Sequence, residues 1–223
     1  KMVHNGIEYA DMQLISEAYS LLKNILGLKA EDLHDVFARW NKGRLDSYLV
    51  ELTSRVFLVN DAESGTALVD HILDVADQKG TGRWTVETAL ELGIPTPMFS
   101  EAVFERSMSA LKAERVAASK ILHGTSASFN GDKVSFISAV EETLYASKIV
   151  SYAQGFALLQ AASVFYHWEL DLGKIALIWR NGCIIRSQFL GYISEAFNSS
   201  LSLSNLLTYP YFSESIEHAQ AGG

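Results

Sequence analysis

Four of the first eight residues could do chemistry together: Lys1, His4, Asn5 and Glu8, in the stretch KMVHNGIEY. On a helix at about 100° per residue they share an arc of roughly 100°, and the Cα atoms of Lys1 and Glu8 lie about 10 Å apart along the axis. An amine and a carboxyl can then flank a short molecule lying along the helix, with His4 and Asn5 between them as hydrogen-bond donors. A lysine becomes a general base where desolvation, nearby cations or a helix N-terminus disfavour its ammonium form, and a carboxylic acid opposite completes an acid/base pair. On residue types alone, the commoner reading of such a face is a solvated helix surface. Helix-making alone does not explain the stretch, because His and Asn are indifferent helix formers and Gly6 costs about 1 kcal/mol against Ala.

A second candidate is QKGTGRW, Gln78 to Trp84. Lysine charge, a threonine hydroxyl and the free N–H groups of a Gly-rich turn suit an anion such as phosphate. Alone, Gly-Thr-Gly is more often a turn before a helix, with Thr81 to Thr85 as cap candidates, and Arg106 is more often a surface or ion-pair residue.

Holding these residues requires helices. Apolar residues recur at helical spacing over long windows, strict alternation is scarce, and the three prolines are Pro95, Pro97 and Pro210, so the class is all-α. In the first helix Ile7, Leu14, Ala18, Leu21 and Ile25 form the apolar stripe, and Gly27 is the expected stop. Further helices are expected at about 31–40, 45–59, 66–75, 85–92 and 97–121. HGTSASFNGD, His123 to Asp132, is a loop. A long helix from Lys133 to about Phe165 turns Phe136, Val140, Leu144, Ile149 and Phe156 inward. A break at Leu172 to Lys174, a helix from Ile184 to Phe197, a Ser/Asn-rich connection at 198–205 and short helical turns complete the chain. Short breaks favour one bundle-like domain over residues 1–223.

The 223 residues are 48% hydrophobic with net charge −8. No block of five basic residues occurs, which argues against a nucleic-acid or anionic-membrane partner. Cys183 is the single cysteine; a disulfide framework is excluded, and a cytoplasmic setting is the natural reading. It has no neighbouring His in the sequence and reads as a buried structural thiol. The other histidines, His34, His71, His123, His167 and His218, lack i,i+4 ligand partners and read as surface or satisfied core residues, so no metal is expected. Trp40, Trp84, Trp168 and Trp179 read as core anchors, Arg180 and Arg186 as interhelical hydrogen-bonding residues. No segment has the length of apolar residues needed to span a bilayer. The initial Lys and the final AQAGG suggest truncation at both ends.

KMVHNGIEYADMQLISEAY, DQKGTGRW, EAVFERSMSALKAER, LYASKIVSYAQGFALL and IWRNGCIIRS occur in that order and together resemble the helical C-terminal domain of the 6-phosphogluconate dehydrogenase family. The resemblance covers essentially the whole chain. It implies an NADP⁺-dependent, decarboxylating oxidoreductase of the pentose phosphate pathway and gluconate utilization, converting 6-phosphogluconate to ribulose 5-phosphate and CO₂. It implies Lys1 as the base at the 3-hydroxyl and Glu8 as the acid that protonates C1 of the enediol. His4 and Asn5 match positions that hold substrate hydroxyls and carboxylate; Tyr9, Lys79, Thr81 and Arg106 match those for the phosphate. It also implies a homodimer in which each C-terminal tail lends an Arg and a His to the other subunit's phosphate site. The family's cofactor site lies in an N-terminal Rossmann domain, and no G-x-G-x-x-G occurs here, so the cofactor-binding half is expected outside this chain. Two readings follow: a substrate-binding and dimerisation domain of the full enzyme, or, for the isolated chain, a helical binding module without turnover. Another β-hydroxyacid dehydrogenase would share the Lys and Asn but would not explain His4, Glu8 and Tyr9 together with Lys79, Thr81 and Arg106.

Overall fold

The structure, a computed structural model, describes residues 1–124, 129–199 and 203–221. Among the described residues there are helices and no strands; the only β pairing is two isolated bridges, Ser47 with Ser187 and Asn60 with Ala67. The helices are α1 (Met2–Asn24), α2 (Ala30–Trp40), α3 (Tyr48–Val56), α4 (Thr81–Glu91), α5 (Pro97–Ala110), α6 (Lys112–Ser119), α7 (Lys133–Phe165), α8 (Leu172–Ile178), α9 (Leu190–Ser199) and α10 (Pro210–Ala221), with 3₁₀ turns at Leu68–Asp70 and Leu206–Thr208.

The 33-residue α7 is the spine, about 50 Å long at the usual helical rise. Asp132 caps it by accepting from the Ser135 N–H. Helix α1 lies across α7 and is flanked by α4 and α5; α2 pairs with α3, α8 with α9, and α10 rests on α7. Gly155 permits the α1–α7 crossing, since a Cβ there would come within 2.7 Å of Ile7 Cδ1. Beside it Lys148 of α7 forms a fully buried ion pair with Asp11 of α1. Ile7, Phe37, Trp40, Ile149, Phe156 and Phe212 are among the buried core side chains.

The long helix and the all-α class agree with the sequence reading; several local boundaries do not. The expected α1 stripe is too narrow: Val3, Gly6, Tyr9, Ala10 and Asp11 are buried as well as Ile7, whereas Leu21 is 40% exposed. Its end is as expected, with Gly27 at φ 68° and the Gly27 and Leu28 N–H groups donating back to Lys23 and Leu22. The helix expected from residue 45 begins at Tyr48, because Asp46 and Tyr48 spend backbone groups on Gln188 and Arg186.

The helix expected at 66–75 is only one 3₁₀ turn. The carbonyls of Asp74, Ala76 and Asp77 accept instead from Arg115, Ser109 and Arg106, which holds this run extended across α5 and α6. The same Arg115 donates to the Ser109 carbonyl and accompanies a break at Leu111, splitting the expected 97–121 helix in two. Leu172 to Lys174 opens α8 rather than breaking the fold: Asp171 caps the Lys174 N–H, and the reversal falls earlier, at left-handed His167 and Glu169. Residues 180–189 are irregular, so the helix expected from Ile184 starts at Leu190, and the tail after Tyr209 forms a twelve-residue helix. Trp40 and Trp179 are buried as expected, but Trp84 and Trp168 are 59% and 56% exposed. Arg186 joins Glu51 as expected, while Arg180 is exposed and has no side-chain partner among the described residues. Part of the expected 123–132 loop and of the 198–205 connection lies outside the described residues.

Candidate active site

The site grows from the first two turns of α1. Lys1 is its N-cap and accepts the Asn5 N–H on its carbonyl; its side chain is exposed and makes no ion pair among the described residues. One turn on, three side chains converge. Asn5 Nδ2 donates to Glu8 Oε2 at 2.9 Å, and His4 Nδ1 lies 3.8 Å from the same oxygen. Asn5 Oδ1 is buried without a partner among the described residues, an orphaned acceptor inside this polar cluster.

Gly6 acquires its reason here. A Cβ at this position would lie 2.7 Å from Thr85 Cγ2, so glycine lets α4 close on α1. Thr85 Oγ1 then donates to the Met2 carbonyl at 2.6 Å and to the Thr81 carbonyl at 2.9 Å, locking the two first turns together. Helix α4 starts after Gly80, whose φ of 91° is in the glycine-favoured left-handed region. This turn delivers Thr81 and the free N–H groups of the helix start to the α1 surface.

Tyr9 ties the second set of residues to the first. Its hydroxyl accepts the Lys79 backbone N–H at 3.2 Å, and its ring lies under the Arg106 guanidinium, 3.7 Å from ring centroid to guanidinium carbon. Gly82 presses on the ring from the other element: a Cβ there would be 2.6 Å from Tyr9 carbons. Arg106 Nη1 donates to the Asp77 carbonyl at 2.8 Å, which orients a planar group with further N–H donors to offer an anion. Tyr9, Arg106 and the Lys79 backbone are thus in direct contact. The Lys79 ammonium makes no ion pair and the Thr81 hydroxyl no hydrogen bond among the described residues.

Burial, and then the positive charge of Lys1, lower the His4 pKa from 6.5. Its neutral form is therefore retained to lower pH than that of a free imidazole. The opposite edge of the ring meets Cys183: Nε2 contacts Sγ, and Trp179 packs edge-on at 5.9 Å. This corrects the reading of Cys183 as a thiol without a nearby histidine. No local spacing could have revealed the contact, since the two residues are 179 positions apart. Thr85, read from the sequence only as a cap candidate, instead ties α4 to α1 through the Met2 carbonyl. Among the described residues no group of three His, Cys, Asp or Glu side chains forms a metal site, and no helix is long and apolar enough to cross a membrane.

A family model described as the C-terminal domain of 6-phosphogluconate dehydrogenase matches residues 1–222. The NADP⁺-dependent decarboxylating 6-phosphogluconate dehydrogenase of Bacillus subtilis is 55% identical over 221 residues, 99% of this chain and 47% of that protein. The decarboxylating enzyme of Schizosaccharomyces pombe is 53% identical over 222 residues, 100% of this chain and 45% of its own length. Among solved structures, the Plasmodium falciparum enzyme, described in its apo form and in complexes with NADP⁺ and with 6-phosphogluconate, superposes with a TM-score of 0.96 at 42% identity, covering 100% of this chain and 48% of that one. The chain thus spans about half the length of the relatives it matches. With a helical spine, an acid-bearing first helix and a matched model over 222 of its positions, the chain belongs to the 6-phosphogluconate dehydrogenase family, in the region of its C-terminal domain.

Proposed function

We propose that the protein to which this chain belongs oxidatively decarboxylates 6-phosphogluconate to ribulose 5-phosphate and CO₂ with reduction of NADP⁺, and that this chain is its helical substrate-binding and dimerisation domain. The observation that carries this reading is the adjacency of Glu8 and Tyr9: the acid of one cluster is followed at once by the residue that organises the Lys79–Arg106 cluster. A sugar acid with a carboxylate at one end and a phosphate at the other suits two polar sites joined along one helix.

In this reading Arg106, Lys79, Thr81 and the N–H groups opening α4 bind the phosphate, and Tyr9 fixes the geometry of that set. His4 and Asn5 hold hydroxyls and the carboxylate. The Lys1 amine removes the 3-hydroxyl proton as oxidation occurs, then returns it to the 3-keto oxygen to assist loss of CO₂. Glu8, within reach of Asn5, delivers a proton to C1 of the enediol. NADP⁺, when bound, supplies the hydride acceptor. The described residues contain neither a strand nor a Gly-rich strand-to-helix turn, so they do not fit a dinucleotide cradle.

The full-length protein is expected to release CO₂ and NADPH from 6-phosphogluconate, and Lys1→Met to abolish turnover while substrate binding persists. Unchanged turnover in that variant would reject Lys1 as the base. The lack of a dinucleotide cradle among the described residues favours a second reading for the chain in isolation, a helical module without turnover. Calorimetry on the isolated chain should then show no tight NADP⁺ binding; tight binding would sink this second reading. A homodimer is supported by apolar side chains left open near the end of α7 and on α8, such as Val164 at 73%, Phe165 at 64% and Ile178 at 71% exposure.

A further inference from the structure

His4 has two ring nitrogens and two chemically different neighbours. Nδ1 faces the Glu8 carboxylate at 3.8 Å, Nε2 meets the Cys183 thiol, and the side chain is only 17% exposed. A neutral imidazole carries one proton, and its tautomer follows the partners of each nitrogen. Glu8 Oε2 already accepts from Asn5 Nδ2 and faces Nδ1 as an acceptor, so the proton belongs on Nδ1. Nε2 is then an acceptor in need of a donor, and a thiol S–H is a donor, though a weak one.

The thiol is not free to wander. Its own carbonyl accepts the Arg186 N–H at 3.0 Å, and the Arg186 carbonyl accepts from Tyr48 N at 3.0 Å. The buried Tyr152 hydroxyl donates to the Ile185 carbonyl at 2.7 Å, and Gln188 N donates to the Asp46 carbonyl at 3.0 Å. Arg186 Nη2 holds Glu51 at 3.1 Å. Residues 183–188 are thus tied to α7 and to the start of α3 at several points. A segment with no regular secondary structure presents Cys183 to α1 from a fixed frame.

We propose that Cys183 is a positioning residue for the substrate site: its S–H donates to His4 Nε2 and so keeps the neutral imidazole's proton on Nδ1, on the face shared with Asn5 and Glu8. The consequence is a histidine that offers substrate a donor of fixed direction, where an untethered ring would divide its population between tautomers. Trp179, against the ring edge, restricts rotation about the same side chain. The inference rests on the reading of His4 as a substrate contact, but the placement of the proton is measurable without turnover.

The test uses the full-length protein with Cys183→Ala and Cys183→Ser, and ¹⁵N NMR of labelled histidine with His4 assigned by its loss in His4→Gln. In the substrate-free wild type, Nδ1 should be protonated and Nε2 bare. Cys183→Ala should populate the other tautomer and raise KM for 6-phosphogluconate about 2- to 10-fold, the worth of one hydrogen bond, with a smaller change in kcat. Cys183→Ser, whose hydroxyl can donate from the same place, should restore both the ¹⁵N pattern and most of the KM. A proton on Nε2 in the wild type, an unchanged pattern in Cys183→Ala, or a serine variant no better than alanine would overturn the proposal. If the ¹⁵N results come out as expected while the wild type fails to turn over 6-phosphogluconate, the proton placement stands and the assigned reaction is what fails.

Discussion

Tyr9 meets three different demands with one side chain. Its ring fills the space left by Gly82, its face carries the Arg106 guanidinium, and its hydroxyl fixes the turn before α4. Tyr9→Phe keeps the first two contacts and removes the third. The lost hydrogen bond serves ground state and transition state alike, so KM for 6-phosphogluconate should rise about 2- to 10-fold with kcat little altered. Steady-state kinetics on the full-length protein check this, and a kcat loss with constant KM would place Tyr9 in the chemical step instead. The grouping of His4, Asn5 and Glu8 was legible from spacing because all three belong to one helix, whereas Lys1 is the N-cap and its side chain makes no hydrogen bond or ion pair with them among the described residues. Cys183 was not, because its approach to His4 depends on how a distant irregular segment is anchored. Gly6 was legible only as an anomaly: sequence shows its cost to the helix, and only the packed α4 shows what that cost allows.

At the scale of elements, the run from Ile72 to Lys79 shows why helical periodicity misled. Its apolar residues Ile72 and Leu73 are 58% and 65% exposed, so no core face holds them, and side chains of α5 and α6 take the carbonyls a helix would have used. Asp74 is the chief anchor, pairing with Lys112 and, at 2.9 Å, with Arg115. Hydrogen bonds from Lys112 first and Arg115 second bring its carboxyl from the ordinary 3.8 down to about 2. The folded value lies below the unfolded one, so the anchoring is fully present above about 3.8 and is lost as pH falls through about 2. Amide hydrogen exchange should therefore be faster across 72–79 in Asp74→Asn than in the wild type near neutral pH, and the two should converge in strong acid. Equal exchange near neutral pH would show that the three carbonyl bonds suffice without the ion pairs. Helix α2 was legible because periodicity and burial coincide there, and α7 because its 33 residues run without a proline. The segments held by long-range side-chain bonds were not, since nothing within a local window encodes a carbonyl being claimed from another element.

For the whole molecule, the crossing of α1 over α7 decides where the site stands relative to the core. Lys148 and Asp11 are 1% and 2% exposed and face each other across that crossing. Removing one charge leaves its partner buried and uncompensated, so Lys148→Met should destabilise by about 3–5 kcal/mol in urea unfolding. Replacing both, as Lys148→Met with Asp11→Leu, should recover most of that loss, because a well-packed apolar pair can match a buried ion pair. A double variant as unstable as the single one would mean that the crossing needs the charges themselves. This arrangement also constrains how the sequence can drift through time. Each member can be exchanged freely only after the other has gone, and the first step carries nearly the whole penalty. Lineages should hold both residues or neither, with the intermediate surviving only where stability gained elsewhere shelters it.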